Sequence, residues 1–248
     1  MDTPKLFADL HIHTISSGHA YSTVAEIINA AAEKGLHAIA FTDHGPAIPG
    51  APHRYYFGNL LVLPKKENGV EVLRGVEANI IEKDGTLDLP DHYLQPLDLI
   101  WAGLHIPCIQ PASPSLNTDA LLNALENPYV DGIVHPGNPD FPIDEEALVL
   151  AAREKGKLLE INNSSFITRR GSKTRCREIA GFIAVHGGLV AINSDAHIAR
   201  HVGKNDRALQ LALEAGINME QIVNTDLRKL KDFLRSRGKK HFQETGIF

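Results

Sequence analysis

The chain alternates between short apolar runs and longer segments in which apolar residues recur every three or four positions. The apolar runs are rich in Leu, Ile, Val and Ala, which is typical of buried strands. They lie at residues 5–13, 38–42, 70–76, 97–104, 131–134, 157–161 and 189–192. Because a helical pattern separates most of these runs, the sequence predicts strands that alternate with helices.

Helix signals fall between the runs. Thr23 and Glu26 form the capping-box pattern Thr-x-x-Glu, and apolar residues follow at positions 24, 27, 28 and 31. Thr118 is the expected N-cap of a helix with apolar residues at positions 121, 122 and 125. Further helices are predicted at residues 144–155, around 179–184, at 204–215 and at 226–237.

This alternation predicts an α/β fold with a parallel sheet. No internal repeat, low-complexity segment or compositional break divides the chain, so we expect residues 1–248 to form a single domain. Polar residues follow the strands at the same end, which favours a distorted (β/α)7 barrel. An open doubly wound sheet is the alternative, and it would also bind ligands at the carboxyl ends of its strands.

Composition and charge narrow the class of protein. Of the 248 residues, 43% are hydrophobic and 22% are charged, as in ordinary globular proteins. A net charge of −5 gives no general attraction to nucleic acid or anionic membranes. The two cysteines, Cys108 and Cys176, form no disulfide framework, and no signal peptide or membrane span is evident. We therefore expect a cytoplasmic protein.

Ligand-type side chains follow six of the seven predicted strands, and together they indicate a metal site. A single strand-end histidine is more often a hydrogen-bonding partner than a ligand, so the indication comes from the set. The nine candidate metal ligands are His11, His13, His19, His44, Glu77, His105, His135, Asp195 and His197.

Nine donors are enough for three divalent metal ions, with one carboxylate bridging. Because no cysteine is among them, we expect Zn²⁺, with Mn²⁺ or Fe²⁺ as alternatives. Five other histidines break this pattern and are expected at the surface or in loops. They are His53, His92, His186, His201 and His241.

The motifs that carry these candidates resemble those of a known family. They are Asp-Leu-His-x-His-Thr at 9–14, Thr-Asp-His-Gly at 42–45, Gly-x-Glu at 75–77, the strand-end His105 and His135, and Ser-Asp-x-His at 194–197. Over essentially the whole chain they resemble the PHP (polymerase and histidinol phosphatase) family. Other segments, such as His-Pro-Gly-Asn-Pro from residue 135, resemble its YcdX-type bacterial branch of probable phosphatases.

The resemblance implies a (β/α)7 barrel with a trinuclear metal site. It also implies a grouping of the ligands around the three ions. The groups are His11, His13, Glu77 and Asp195 at one metal, Glu77, His105 and His135 at a second, and His19, His44 and His197 at the third.

The charge of such a site favours an anionic substrate. Three divalent ions and two carboxylates leave a net charge of about +4, which a small phosphorylated substrate would complement. The hypothesis is a metal-dependent phosphoesterase, and more specifically a phosphomonoesterase. A hydroxide bound at the trinuclear metal site would attack phosphorus. A covalent route is weaker, because no Cys or Ser stands in a nucleophile motif.

Four further residues are candidates for catalysis. Asp9 shares the predicted face of His11, and we expect it either to orient an imidazole or to make a buried hydrogen bond at the strand start. For Asp43, at the end of the second strand, we expect the same two alternatives, orienting an imidazole or making a buried hydrogen bond. Arg169 and Arg170 follow the sixth strand and are candidates to contact the substrate phosphate, with a solvated loop as the equal alternative.

Two other functions remain as alternatives. A phosphodiesterase or nuclease-type hydrolase ranks lower because the sequence has no basic, aromatic-interleaved stripe, so nucleic acid is not the expected partner. A sizeable positive groove beside the rim of the barrel would reverse that ranking. A non-catalytic metal-binding module is the second alternative. The sequence gives no indication of oligomeric state, of the phosphate ester cleaved, or of the general acid.

Overall fold

The structure, a computed structural model, describes residues 4–242 of the chain. Within this range the chain forms eight strands, most of them buried along their whole length. In chain order they are β1 Ala8–Ile12, β2 Ala38–Phe41, β3 Lys66–Glu67, β4 Val70–Asn79, β5 Leu99–Gly103, β6 Gly132–Ile133, β7 Leu158–Asn162 and β8 Leu189–Asn193.

Nine α-helices are present in the described range, and the longer ones follow the strands. They are α1 Val24–Glu33, α2 Tyr55–Asn59, α3 Asp91–Leu94, α4 Pro114–Glu126, α5 Glu145–Glu154, α6 Ser165–Thr168, α7 Ser172–His186, α8 Asp206–Glu214 and α9 Leu227–Ser236. Short 3-10 turns occur at Ile15–Ser17, Leu60–Val62, Ala199–His201, Met219–Gln221 and Val223–Thr225. Nowhere between residues 4 and 242 is there a helix with the length and apolar character that crossing a membrane requires.

Seven of the strands form one parallel sheet in the sequential order β1-β2-β4-β5-β6-β7-β8, and β3 pairs antiparallel with β4. The first and last strands meet, because the Leu10 amide donates to Asn193 Oδ1 at 3.0 Å and the His13 amide donates to the Ala196 carbonyl at 2.9 Å. The sheet therefore forms a nearly closed barrel, which confirms the predicted distorted (β/α)7 fold. The strand order never reverses, which excludes the open doubly wound alternative.

The seam between β1 and β8 is held by an asparagine rather than by a regular ladder. Asn224 is fully buried, and its Nδ2 donates to the Ala8 carbonyl at 3.0 Å and to the Ile192 carbonyl at 2.6 Å. Its Oδ1 accepts from the Ile192 amide at 3.1 Å. One side chain thus satisfies backbone groups on both strands that a continuous ladder would otherwise pair.

The interior of the barrel is apolar below the carboxyl ends of the strands. Trp101 is fully buried there, and its indole donates to the Leu10 carbonyl at 2.7 Å. A Cβ on Gly132 would lie 2.5 Å from the indole ring, so only glycine leaves room for Trp101. Leu10 belongs to this inner cluster, whereas a strict period of two would put it on the face opposite His11, under the helices. A register irregularity between Asp9 and Ile12 breaks the period of two and explains the difference.

The predicted helices are present, with one wrong boundary. The capping box of Thr23 and Glu26 is formed, and Asp144 caps α5. Thr118 is not an N-cap, because α4 begins five residues earlier with Ser113 as N-cap and Pro114 in the first turn. The hydroxyl of Thr118 instead donates to the Pro114 carbonyl at 2.7 Å, inside the helix.

The amino-terminal end of the barrel is closed by buried ion pairs. Asp98 accepts from the Arg74 guanidinium at 2.8 and 3.1 Å and lies 3.2 Å from His241 Nδ1. Beside it, Lys239 lies 2.9 Å from Asp131 Oδ2. His241 was expected at the surface or in a loop; it lies in a turn, but it is buried because it completes this cluster. Both cysteines are free thiols, as expected.

Replacing the seam asparagine should weaken the whole barrel. In an Asn224→Ala variant the Ala8 carbonyl and the Ile192 amide and carbonyl lose buried partners, and we expect the free energy of unfolding to fall by about 2–3 kcal/mol. Urea denaturation followed by circular dichroism measures this. Asn123→Ala, on the exposed face of α4, is the matched control and should change it by less than about 0.5 kcal/mol. An equal fall in the free energy of unfolding in both variants would show that Asn224 does not hold the seam between β1 and β8.

The Asp98 cluster predicts a pH dependence of stability. Burial alone would raise the pKa of Asp98, but hydrogen bonds from His241 and Arg74 lower it to about 2. Because the pKa of Asp98 is lower in the folded protein than in the unfolded chain, where it is about 4, the ionised carboxylate stabilises the folded state at pH values above about 4. This contribution is lost as the pH falls towards 2. Asp98→Asn should therefore be less stable than the parent by about 2 kcal/mol at pH 7, and the difference should shrink between pH 4 and pH 2. The exposed Asp232→Asn is the control, and a pH-independent difference would refute the assignment.

Candidate metal centre

Glu77, near the end of β4, is the central side chain of the candidate site. Its carboxylate is buried, and five imidazoles surround it. On Oε2 the distances are 3.2 Å to His11 Nε2, 3.3 Å to His13 Nε2 and 2.9 Å to His44 Nδ1, and on Oε1 they are 3.1 Å to His105 Nε2 and 2.8 Å to His135 Nε2. The two oxygens of Glu77 thus face two different groups of nitrogens, as expected of a bridging carboxylate.

Asp195 forms a second point of convergence. Its Oδ1 lies 3.3 Å from His13 Nε2, 3.7 Å from His11 Nε2 and 3.4 Å from His197 Nδ1. With Glu77, it completes the four residues that the family resemblance groups at one metal.

The grouping around the third predicted metal differs in detail. The ring of His19 lies 5.1 Å from that of His44 and 5.0 Å from that of His197. The ring of His13 is nearer to both, at 4.5 and 4.3 Å. Among the described residues, three sets have ligand atoms within 4.8 Å of one another. They are His13, His44 and His197; His11, His13 and Asp195; and His44, Glu77 and His105.

Two features of these atoms fit a metal ion. His44 Nδ1 and Glu77 Oε2 are buried and 2.9 Å apart, yet among the described residues neither makes a well-formed hydrogen bond. His105 Nε2 and His135 Nε2 approach to 3.2 Å. Two nitrogens on one tetrahedral Zn²⁺, with Zn–N bonds of about 2.0–2.1 Å, lie roughly 3.3 Å apart. The donor set therefore suits nitrogen- and oxygen-binding divalent ions.

The backbone of two candidate ligands adopts a conformation that side chains rarely take. His135 has a φ of 31° and Asp195 has a φ of 54°, in the left-handed region. Such conformations persist only where the surroundings impose them, and they cluster at functional sites. Here they bring both side chains back over the barrel mouth. Gly103 helps, since a Cβ there would lie 3.1 Å from His105 Cε1 and 3.4 Å from His135 Cε1.

Glu160, within β7, belongs to the candidate site, and the strand-end pattern missed it. It accepts four hydrogen bonds from groups around the site. The donors are His11 Nδ1 at 2.7 Å, the His135 amide at 2.8 Å, Asn193 Nδ2 at 2.9 Å and Asn162 Nδ2 at 3.0 Å. A carboxylate on Nδ1 fixes the tautomer of His11 and leaves Nε2 free to bind a metal.

Asp43 orients the site indirectly. It accepts from the hydroxyl of Ser17 at 2.7 Å, from the amide of Thr14 at 2.7 Å and from the hydroxyl of Tyr56 at 2.7 Å. The oxygen of Ser17 in turn lies 3.1 Å from His13 Nδ1. Asp43 therefore orients an imidazole through Ser17 and fixes the loop after β1.

Asp9 is fully buried, with its hydrogen bonds directed away from the imidazoles. It accepts from the amide and hydroxyl of Ser194 and from the amide of Gly203, the latter at 2.7 Å. Within the described range it makes no hydrogen bond to a histidine. Its position favours the second of its two expected roles, a buried hydrogen bond at the strand start that attaches β1 to the segment after β8.

The two candidate arginines differ in position. Arg169 Nη1 lies 3.5 Å from Asp195 Oδ2 and donates to the Ser165 hydroxyl at 3.1 Å, so it lies at the edge of the candidate centre. Arg170 is exposed, and among residues 4–242 it forms no ion pair with the site. The structure thus brings together the nine candidate ligands and Arg169, but not Arg170.

Comparison with known proteins agrees with this arrangement. The PHP domain family matches residues 9–237 of the chain. The chain belongs to the PHP domain family. A protein of Thermoanaerobacter sp. (strain X514), named a probable phosphatase, is 50% identical over 238 residues, covering 95% of this chain and 97% of that one. A protein of Acetivibrio thermocellus with the same name is 47% identical over 233 residues, covering 94% and 97%.

A solved structure of the same fold is that of histidinol phosphate phosphatase from Lactococcus lactis subsp. lactis, complexed with zinc, L-histidinol and phosphate. Its TM-score is 0.62 at 18% sequence identity, with 85% of this chain and 94% of that chain covered. At this identity the similarity supports the PHP barrel fold and nothing finer.

Burial and charge set the protonation states in this PHP site. Burial alone would raise the pKa of Glu77 and Asp195, but the surrounding imidazoles, above all His11 for Asp195 and His44 for Glu77, hold both well below their usual range. Burial lowers the pKa of His44 to about 3 and that of His135 to about 4. Ionised carboxylates and neutral imidazoles are the forms that bind metal ions.

His13 differs from these neutral imidazoles. Burial lowers its pKa, but hydrogen bonds to Asp195 and Glu77 outweigh burial and raise the pKa to about 9. The buried negative charge around His13 therefore favours its protonated form.

The role of Glu160 in this PHP domain is testable. A glutamine at this position has one acceptor oxygen in place of two, so it cannot accept all four hydrogen bonds. We expect Glu160→Gln to fold but to bind Zn²⁺ about tenfold to a hundredfold more weakly, measured by competition with a chelating dye. Glu146→Gln, at a surface pair with His186, is the control. Unchanged Zn²⁺ affinity in Glu160→Gln would show that Glu160 does not position the ligands.

Proposed function

We propose that this PHP protein is a metal-dependent phosphatase that hydrolyses phosphomonoesters, with three divalent ions at the site. The observation that carries the proposal is the position of Glu77, whose two oxygens face separate groups of histidine nitrogens. That arrangement suits ions held side by side, close enough to act on one phosphate group. The names of the similar proteins, probable phosphatases at 50% and 47% identity, support the same reaction class.

The ligands proposed for the ions are the nine residues expected from the sequence. We keep the grouping implied by the family resemblance, with His13 as a further neighbour of the set around His44 and His197. Zn²⁺ is the proposed ion, and the zinc in the Lactococcus lactis histidinol phosphate phosphatase is in keeping with it. Bound divalent ions would supply positive charge to the phosphate and lower the pKa of water.

The protein side chains would orient the ligands and the substrate. Glu160 and Ser17 hold the Nδ1 atoms of His11 and His13, so that each Nε2 points towards Glu77 and Asp195. Arg169 at the edge of the site is placed to bind a non-bridging phosphate oxygen. Asp43 acts through Ser17, and we assign it a positioning role rather than contact with substrate.

The decisive experiment joins metal analysis to an activity panel. Purified protein, never exposed to chelator, is analysed for Zn, Mn and Fe and assayed with p-nitrophenyl phosphate, natural phosphomonoesters and bis-p-nitrophenyl phosphate. We expect up to three ions per chain and turnover of the monoesters above the diester. Preference for the diester would favour the phosphodiesterase alternative. Metal-loaded protein that cleaves none of these compounds would favour a non-catalytic metal-binding module.

One substitution tests the ligand set. His13→Ala removes a nitrogen that lies 3.3 Å from both Glu77 and Asp195, so metal content should fall together with turnover. The loss of turnover should be at least about a hundredfold, more than the removal of an outer hydrogen-bonding partner causes. His186→Ala, which removes a partly exposed histidine on α7, should leave both values unchanged. Normal metal content and turnover in His13→Ala would remove His13 from the ligand set.

A further inference from the structure

A cleft between α7 and α8 carries positive charge that the candidate metal centre does not use. It has a volume of about 400 Å³, within the size range of small-molecule sites. Phe166 and the buried Leu211 contribute its apolar surface. We call it the α7–α8 cleft, and its charged residues are Lys173, Arg177, Arg207 and Glu214.

The three basic side chains of the cleft have no acidic partner. Lys173, Arg177 and Arg207 are exposed, and within residues 4–242 none of them forms an ion pair or a side-chain hydrogen bond. Glu214, the last residue of α8, accepts from Gln210 at 2.8 Å and lies two turns beyond Arg207. Lys173 and Arg207 lie in the first turns of α7 and α8, which together contain one acidic residue, Asp206, whereas Glu214 lies at the other end of the cleft.

The end of the cleft that holds Lys173 and Arg207 lies on the same end of the barrel as the metal centre. Lys173 and Arg207 are each the second residue of a helix that follows a barrel strand. The side chain of Asn163 accepts from the backbone amide of Arg207 at 3.0 Å. Its neighbour Asn162 donates to Asp195 Oδ2 at 3.1 Å. Asn162 and Asn163 thus connect Asp195 of the metal centre to the first turn of α8, which forms one wall of the cleft.

Local composition agrees with this reading. Residues 165–210 contain eight Lys and Arg against three Asp and Glu, a net charge of +5 in a chain whose overall charge is −5. Of these cations, Arg169 faces Asp195 and Arg175 pairs with Glu145. The cleft holds three of the others.

We propose that the α7–α8 cleft binds a second phosphate group of the substrate, so that the substrate class is a small bisphosphorylated molecule. This inference rests on the proposed phosphatase function, in which the first phosphate lies at the metal centre. Three cations in a short cleft match one phosphate group, whereas nucleic acid binding uses a longer track of phosphate contacts. Phe166, at the rim end, offers an apolar surface to the part of the substrate that joins the two phosphates.

The test compares linear alkanediol bisphosphates of increasing length with the matching monophosphates. For the metal-loaded parent we expect a lower KM for one range of bisphosphate lengths, and that advantage should weaken as salt rises. In the variant K173Q/R177Q/R207Q the KM for those bisphosphates should rise about tenfold, as loss of three exposed charge contacts implies, with kcat unchanged. Its kinetics with p-nitrophenyl phosphate should stay within about twofold of the parent.

The control variant R228Q/K231Q/R235Q removes the same charge from α9, which packs against the amino-terminal end of the barrel interior. It should retain the preference for bisphosphates. Equal KM values for bisphosphates and monophosphates in the parent would overturn the inference and leave the phosphatase function intact. A cleft-dependent KM seen only with a 5′-phosphorylated oligothymidylate would overturn it in favour of nucleic acid. Absence of any ester hydrolysis would overturn both proposals, and the p-nitrophenyl phosphate assay identifies that case.

Discussion

The structure depends on keeping one carboxylate charged where water cannot reach it. Isolating an ionised group such as Glu77 in a protein interior costs several kcal/mol unless other charges and hydrogen bonds compensate. The compensation comes from five imidazoles delivered by the ends of four different strands, so no single local segment could supply it. The strands must therefore close into a barrel before the site exists. The left-handed backbone at His135 and Asp195 is the local cost of aiming those side chains inwards.

The two ends of the barrel use polar groups in opposite ways. At the amino-terminal end, Asn224 and the Asp98–Arg74 pair are matched with partners, and they hold the seam and the base together. At the carboxyl end, His44 Nδ1 and Glu77 Oε2 are buried and 2.9 Å apart, but among the described residues neither makes a well-formed hydrogen bond. An unsatisfied buried polar atom lowers stability, so a protein retains it where a ligand will satisfy it. This division agrees with the general pattern of α/β barrels, in which chemistry lies at the carboxyl ends of the strands.

Most of the fold and the positions of the nine candidate ligands could be predicted, because both depend on short-range patterns. His105 and His135, for example, follow apolar runs directly. Glu160 could not be found in this way, since it lies inside an apolar strand and its partner His11 is 149 residues away in sequence. The inward position of Leu10 depends on a register irregularity that periodicity does not reveal. Asn224 could not be predicted either, because it stabilises the fold by hydrogen bonds to β1 and β8, and only the closed barrel brings those two strands together.

The charge distribution of the chain is easier to explain by ligand binding than by folding. Exposed cations such as Lys173, Arg177 and Arg207 repel one another and add to the positive charge that divalent ions would bring to the nearby mouth. Glu214 also lines the cleft, but among the described residues it forms no ion pair with any of the three. Arg175, on the same helix as Lys173 and Arg177, pairs instead with Glu145 of α5, so α7 does form an ion pair where a neighbouring helix provides a carboxylate. Leaving the other three unpaired gives no stability, and it does give a site whose charge suits a phosphate.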